Sequence, residues 1–180
     1  WSIEGPYGEK EPTGGQGGYL PTGIGWYRKR FRLPESYQDR KLLIEFDGVY
    51  ENSEVWINGQ YLGKRPFGYI SFAYDLTPHM SFGSRDNLIA VKVDNSRQPN
   101  SRWYSGSGIY RRVWLLVTNK VHVAHWGTYV STPQVSKDSS VVQVKTRVSN
   151  EGNSASQCTL ITSILDRDGK PCLLYTSDAA

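Results

Sequence analysis

The sequence predicts an all-β fold of the sandwich type, and three observations support this prediction. Aromatic residues make up 13% of the chain, with six Trp and twelve Tyr, and large rings favour the pleated surface of strands. Eighteen Gly and nine Pro indicate many turns. Apolar runs of about five to eight residues recur between turn signals about every 8–12 residues, which is typical of a β-sandwich.

The first strands follow a Gly- and Pro-rich lead-in over residues 1–25. In residues 26–33 bulky and charged side chains alternate, which is the period of a strand with one solvated face. Asn58 and Gly59 predict a tight hairpin, because both residues tolerate positive φ. Residues 75–78 predict a turn that leads into a short edge or helical segment. Further strands are predicted at 42–46, 54–57, 69–74, 87–94 and 109–117, and the return strand of the hairpin is predicted to begin with residues 61–63.

A second unit begins near Asn119, with strands predicted at 121–124, 141–148 and 158–165. Three or four strands fall short of the about seven that an immunoglobulin-like sandwich needs. We therefore expect one complete domain over residues 1–119 and a truncated domain over residues 120–171.

Charge and composition argue against several classes of partner. The net charge is a modest +4, and the densest basic cluster lies in the alternating segment 26–33, so we predict a solvated strand face and no nucleic-acid partner. No apolar run approaches the about 20 residues of a membrane span, so no membrane partner is predicted. The chain starts at Trp1 rather than Met, so the absence of a signal peptide carries no information on its compartment.

The sequence predicts no metal site and no cofactor. Cys158 and Cys172 are isolated from other metal-ligating residues. His122 and His125 are three residues apart, which places them on opposite faces of a regular strand. The Gly-rich run 14–18 lacks the Lys-Ser/Thr pair and the strand–helix context of a phosphate-binding loop.

Four sequence blocks occur in order between Gly25 and Arg111. They are Gly25-Trp26-Tyr27-Arg28-Lys29-Arg30-Phe31; Phe46-Asp47-Gly48-Val49-Tyr50, running into Val55-Trp56-Ile57-Asn58-Gly59-Gln60-Tyr61-Leu62-Gly63; Asn87-Leu88-Ile89-Ala90-Val91-Lys92-Val93-Asp94-Asn95; and Ser101-Arg102-Trp103-Tyr104-Ser105-Gly106-Ser107-Gly108-Ile109-Tyr110-Arg111. Together they resemble the sugar-binding domain of family 2 glycoside hydrolases. The Gly-rich lead-in and the last block are most similar to the β-galactosidase branch of that family, which also includes β-glucuronidases and β-mannosidases.

This resemblance implies a jelly-roll β-sandwich followed by a partial immunoglobulin-like β-sandwich. In the family a (β/α)₈ barrel comes next and carries two Glu residues, the acid/base and the nucleophile of a retaining mechanism. The chain ends before such a barrel begins. It is therefore expected to be the non-catalytic N-terminal part of an enzyme that cleaves terminal β-galactosides. Its expected partners are that sugar, the catalytic barrel of its own polypeptide and, in a homo-oligomer, further copies.

The candidate sugar-binding element is the loop 96–108, because one jelly-roll loop reaches over the barrel mouth in the family. Gly106 and Gly108 give this loop access to unusual backbone angles. The resemblance implies that a guanidinium donates paired hydrogen bonds to sugar hydroxyls or to a catalytic carboxylate, and that an aromatic ring stacks on the sugar. The candidate residues are Asn100, Ser101, Arg102, Trp103 and Tyr104.

Two alternatives for this loop stay open. Arg102 is also suited to an ion pair at a domain interface, and Trp103 to a place in the core. Some relatives have an Asp near the position of Arg102 that contacts substrate, and this sequence does not offer that carboxylate. Because the loop forms an edge of the pocket, the chain alone is expected to bind sugar weakly or not at all.

Other residues invite a functional interpretation and are expected to be structural. Asp47 and Glu51 form a carboxylate pair of the kind that glycosidases use, but the family places catalysis in the barrel. Tyr69 and Phe72 are expected to fill the sandwich rather than to bind sugar.

Residues 172–180 break the sandwich pattern directly after Asp168-Gly169-Lys170-Pro171, which follows a turn predicted at residues 166–169. They can be encoded by TGT-CTC-TTA-TAC-ACA-TCT-GAC-GCT-GCC, which resembles the transposon mosaic end and adapter of sequencing libraries. We interpret them as translated adapter sequence, and the alternative is a natural strand at 173–176.

Three functions follow from these observations. The first is part of an enzyme, the second is a stand-alone carbohydrate-binding module, and the third is a purely structural β-sandwich. Saturable sugar binding by residues 1–119 alone would favour the second. A large exposed apolar and aromatic patch would favour the third.

Overall fold

The computed structural model describes residues 7–98 and 106–179, with the backbone alone for Gln16 and for residues 173–179. The described residues form strands joined by turns and by short 3₁₀ helices at Gly15–Gly17, Glu35–Tyr37 and Thr77–His79. The all-β prediction is confirmed. The strands are β1 (Gly23–Phe31), β2 (Lys41–Phe46), β3 (Val49–Tyr50), β4 (Ser53–Ile57), β5 (Gln60–Arg65), β6 (Phe72–Asp75), β7 (Asn87–Asn95), β8 (Gly108–Ile109), β9 (Val113–Thr118), β10 (Val121–Val135), β11 (Ser140–Asn150), β12 (Cys158–Leu165) and β13 (Pro171–Ala179).

The chain divides into two compact units, Trp1–Thr118 and Asn119–Ala180. In the first unit a four-stranded antiparallel sheet has the order β1-β7-β4-β5, and a three-stranded sheet has the order β6-β2-β9. The short strands β3 and β8 pair with each other. The strand order mixes neighbours from distant parts of the chain, as a jelly-roll sandwich requires.

The core of the first unit lies between its sheets, because alternate residues of the central strands point inward. In β2 every second residue is buried, and β4 and β7 show the same alternation. Phe46 and Phe72 stack with ring centroids 5.0 Å apart at the centre of this core. The other fully buried side chains with less than 2% exposure include Leu42, Val55, Ile57, Leu76 and Val93.

The predicted hairpin at Asn58 and Gly59 is confirmed. Both residues have positive φ, 49° and 84°, and the hairpin joins β4 to β5. Asn58 also has a role that the turn signal did not predict. The Asn58 side-chain nitrogen Nδ2 donates to Asn87 Oδ1 at 2.9 Å, and the Asn58 side-chain oxygen Oδ1 accepts from the Leu88 backbone amide at 2.8 Å.

One side of the sandwich is open. The edge strands β1 and β9 border an apolar cavity of about 430 Å³ that lies between the two sheets. On β9 the side chains of Val113, Trp114 and Leu115 are 42%, 44% and 39% exposed. The β9 edge therefore presents apolar side chains and an unpaired backbone ladder among the described residues.

Two strand predictions for the first unit were wrong in extent, and one short strand was not predicted. The strand predicted at 109–117 is divided into β8 and β9, because β8 pairs with β3 whereas β9 pairs with β2. Residues 110–112 connect the two strands. There the Tyr110 amide donates to the Gly48 carbonyl, and the Asp47 amide donates to the Arg112 carbonyl. The strand predicted at 69–74 begins later, at Phe72, and the two-residue strand β3 was not predicted.

The second unit consists of two separate antiparallel hairpins, β10–β11 and β12–β13. The predicted short strand 121–124 extends to Val135, and a bulge of residues 124–127 opposite Arg147 interrupts its alternation. At the bulge Trp126 has a φ of 50°, and a Cβ on Gly127 would come within 2.6 Å of the Ala124 carbonyl oxygen. Because the alternation breaks at this bulge, the sequence pattern does not predict the second half of the strand.

Candidate functional site

The candidate residues Asn100, Ser101, Arg102, Trp103 and Tyr104 lie outside the described residues. Their roles therefore stay predictions. The stems of their loop are described and comprise residues 95–98 and 106–109.

The two stems of the loop are fastened to each other by buried polar groups. Asn95 is fully buried at the end of β7, and its side-chain amide donates to Ser107 Oγ at 2.8 Å. Gln98 donates from its side-chain amide to Asn95 Oδ1 at 3.0 Å. Buried hydrogen bonds of this kind are costly to leave unmade, so the ends of the loop are held at a fixed separation.

Asp94 and Ser96 stabilise the first stem from the outside. The Ser96 hydroxyl donates to Asp94 Oδ1 at 2.6 Å, and the Ser96 amide donates to the same oxygen at 3.1 Å. The hydroxyl is the main reason that the pKa of Asp94 lies below its ordinary value of 3.8. The Asp94 amide donates to the Glu51 carbonyl, which links this stem to the neighbouring chain segment.

An aromatic cluster lies beside the second stem. Tyr50 of β3 pairs with Gly108 of β8, and the Tyr50 ring contacts Tyr69 with centroids 5.2 Å apart. Tyr69 in turn contacts Phe67 and Tyr110 with centroids 5.8 and 6.4 Å apart. The expectation that Phe72 fills the sandwich is confirmed, since it is 1% exposed, but for Tyr69 it was wrong, since it is 56% exposed. The Tyr69 ring packs on the outer side of Tyr50 instead.

Asp47 and Glu51 take part in the framework around this cluster, Asp47 through its side chain and backbone and Glu51 through its backbone. Asp47 Oδ2 accepts a hydrogen bond from Trp114 Nε1 at 3.1 Å, and the Asp47 carbonyl accepts one from the Ser71 hydroxyl at 3.2 Å. Glu51 uses its backbone carbonyl to accept from Asp94. These contacts hold strands and stems together, as a structural role requires.

Within the part of the chain that the structure describes, no three metal-ligating side chains come together. The bulge in β10 lies between Val123 and Thr128, so the regular alternation assumed for His122 and His125 does not extend to His125. Among the same residues, no helix is long and apolar enough to cross a membrane.

The fold and the loop stems define an antiparallel β-sandwich domain that holds a long loop by hydrogen bonds at its base. The sequence profile described as "Glycosyl hydrolases family 2, sugar binding domain" matches residues 18–119. A β-galactosidase of Bacteroides ovatus is 50% identical over 170 residues, which are 94% of this chain and 20% of that protein. A putative β-glucuronidase of Formosa agariphila is 44% identical over 148 residues, 82% of this chain and 14% of that protein.

The solved structures that resemble this chain include glycosidases, as do its sequence relatives. The crystal structure of a β-glycosidase from Bacteroides vulgatus superposes with a TM-score of 0.90 at 43% sequence identity, covering 99% of this chain and 23% of that one. The chain thus belongs to glycosyl hydrolase family 2. It spans about a fifth of the length of the relatives that it matches.

Proposed function

We propose that this chain is the non-catalytic N-terminal part of a family 2 glycosidase that cleaves terminal β-galactosides. In this role the first unit supports a catalytic barrel and contributes the loop 96–108 to the edge of its sugar pocket. The observation that carries the proposal is the 50% identity to the B. ovatus β-galactosidase over 94% of this chain. The match occupies only 20% of that β-galactosidase, so most of the relative lies outside the matched region. The chain alone is expected to have no hydrolytic activity, because the two catalytic Glu residues of a retaining glycosidase belong to the barrel.

A β-glucuronidase is the second candidate for the parent enzyme. The 44% identical relative from F. agariphila supports it, and both activities share the retaining mechanism. A stand-alone carbohydrate-binding module is the alternative from a different class, and the sugar-binding description of the matching family profile supports it.

A long sequencing read across the genomic locus past codon 171 is the first test. If the reading frame continues into a complete second sandwich and a barrel, the chain is part of a glycosidase. If the frame stops there, the enzyme proposal fails and a binding or structural module remains. Recovery of the codons for residues 172–180 in genomic DNA would refute their interpretation as adapter sequence.

The second test compares the longer protein with the 180-residue chain. Both are assayed on p-nitrophenyl β-galactoside and on p-nitrophenyl β-glucuronide. We expect the longer protein to release nitrophenol from the galactoside and the short chain to be inactive on both. Release from the glucuronide alone would assign the parent to the second candidate.

A further inference from the structure

Two apolar side chains at the open side of the first unit face the core and are nevertheless exposed. In the register of β9 with β2, Val113 lies opposite Phe46 and Leu115 lies opposite Ile44. Phe46 and Ile44 are 1% and 7% exposed, whereas Val113 and Leu115 are 42% and 39% exposed. Directly opposite residues share one face of a sheet, so Val113 and Leu115 belong to the core side. Their exposure indicates that the layer over them is incomplete.

The backbone of β9 is open at the same place. β9 is the outer strand of the sheet β6-β2-β9, so its second edge has no partner among the described residues. The strand reads Val-Trp-Leu-Leu-Val-Thr and contains neither a charged residue nor a proline. Edge strands that face water usually carry such residues, because an unprotected edge pairs with other strands. β9 therefore has the composition of a strand that is paired on both edges.

The strand β1, which borders the opening on the other sheet, is protected. Lys29 of β1 lies opposite Ile89, which is 9% exposed and belongs to the core, so Lys29 occupies the inward side of β1. An inward-pointing charge is one of the features that keep an edge strand unpaired. The two edges thus differ, and a further strand fits the edge of β9 better than the edge of β1.

The size of the gap fits one strand. An apolar cavity of about 150 Å³ accommodates a benzene ring, so the cavity of about 430 Å³ has room for about three apolar side chains. A strand that pairs with the six residues of β9 directs about three side chains inward, since side chains alternate between faces. One more strand would also give both sheets four strands, and jelly-roll sandwiches typically have eight.

We propose that this gap is the binding site of a β-strand from the same polypeptide, in the part that precedes Trp1. The strand pairs with the free edge of β9 and inserts alternate apolar side chains over Val113 and Leu115. Residues before Trp1 lead directly into the first unit, whereas residues after Ala180 follow the second unit. Elements that are consecutive in sequence usually neighbour each other in space, which favours the preceding part. This site is independent of the glycoside that the parent enzyme cleaves.

Hydrogen exchange with mass spectrometry tests the proposed strand in three forms of the protein. They are the 180-residue chain, the chain extended by the residues encoded upstream of Trp1, and the chain extended only beyond residue 180. About half of the β9 amides point away from β2, because amides of a strand alternate between its two edges. The upstream extension should slow exchange at these amides by about a hundredfold, and the downstream extension should leave it unchanged.

Thiol labelling provides a matched pair of variants. Leu115→Cys places a thiol at the gap, and Leu88→Cys places one at a position of similar exposure, 37%, on the outer face of β7. The upstream extension should slow maleimide labelling of the Leu115→Cys thiol by about a hundredfold and change that of Leu88→Cys by less than about twofold. Mass spectrometry separates these labels from those on Cys158 and Cys172, and circular dichroism establishes that each variant is folded.

Several outcomes would overturn the strand site. The β9 amides of the 180-residue chain could already exchange slowly, or those of the upstream-extended chain could still exchange fast. Protection by the downstream extension alone would place the strand after residue 180, and protection that grows with protein concentration would identify a second copy as the partner. An upstream reading frame too short for a strand would also refute it. Protection of β9 in a longer protein without glycosidase activity would instead refute the proposed function alone.

Discussion

The two units of this chain are built from similar antiparallel strands but bury very different amounts of apolar surface. In Trp1–Thr118, β2, β4 and β7 direct alternate side chains into a core between two sheets. In residues 119–172, whose burial the structure describes, Ala124 is the one buried residue. Val130, Ile161 and Leu165 are 58%, 63% and 54% exposed. The comparison shows that alternation produces strands, whereas a core also requires a second layer.

The largest expected effect separates the two units at their boundary. Residues 1–118 alone should unfold cooperatively in urea, because their core is internal to the unit. Residues 119–180 alone should lack a cooperative transition and aggregate, because isolated hairpins are marginal in water and expose apolar strand edges. Circular dichroism during urea titration and analytical ultracentrifugation measure both properties. A cooperative, monodisperse 119–180 fragment would remove the contrast between the units.

Truncating a core ring gives the next largest effect. Phe46→Ala removes a side chain that is 1% exposed and stacked on Phe72, and should lower the free energy of unfolding by about 3–5 kcal/mol. The matched variant in the second unit, Ile161→Ala, removes an apolar side chain that is 63% exposed and should cost less than about 1 kcal/mol. Chemical denaturation of both variants provides the comparison. Similar losses would indicate that the second unit has a core of its own.

Buried polar contacts give a smaller contrast of the same kind. Asn87 is fully buried, accepts from the Ser81 amide and donates to the Ser81 carbonyl, both at 2.8 Å. Asn87→Ala leaves these groups without partners and should cost about 2 kcal/mol. In the second unit Ser136 caps an exposed turn by accepting from the Ser139 amide at 3.0 Å. Ser136→Ala should cost less than about 0.5 kcal/mol, and an equal loss in both variants would contradict the comparison.

The hydrogen bonds around Asn87 also include a contact that the sequence alone does not predict. The Asn58-Gly59 turn could be predicted, because positive φ is a local property of those residue types. That Asn58 also bonds to Asn87, 29 residues away, depends on the register of β4 with β7. Tyr69 was misassigned for the same reason. A ring in an aromatic run looks like core until a partner such as Tyr50 is known to lie beneath it.

For the candidate site, the sequence predicts a loop but not the contacts at the base of that loop. The family blocks pointed to the loop 96–108, because its Gly and aromatic residues form a local motif. The hydrogen bond between Asn95 and Ser107 at the base of that loop and the contact between the Tyr50 and Tyr69 rings are non-local, since β3 and β8 bring Tyr50 to Gly108. No local pattern in the sequence predicts that juxtaposition.

The smallest expected effect concerns acid sensitivity at the loop stem of the first unit. Because the pKa of Asp94 is lower in the folded chain than its ordinary value of 3.8, its ionised form stabilises the fold above that pH. This stabilisation is lost as the pH falls through the lower, folded pKa. Ser96→Ala removes the main hydrogen bond to the carboxylate, so the pKa of Asp94 should rise toward 3.8 and the acid dependence should flatten.

Carboxyl ¹³C NMR titration of Asp94 measures this change directly, and Ser96→Thr, which keeps the hydroxyl, is the control. The titration should move in the Ala variant and stay in place in the Thr variant. An unchanged Asp94 titration in Ser96→Ala would mean that the backbone amide of Ser96, at 3.1 Å, suffices to hold the carboxylate ionised. The first stem of the loop would then be fixed by its backbone, and its serine hydroxyl would be dispensable.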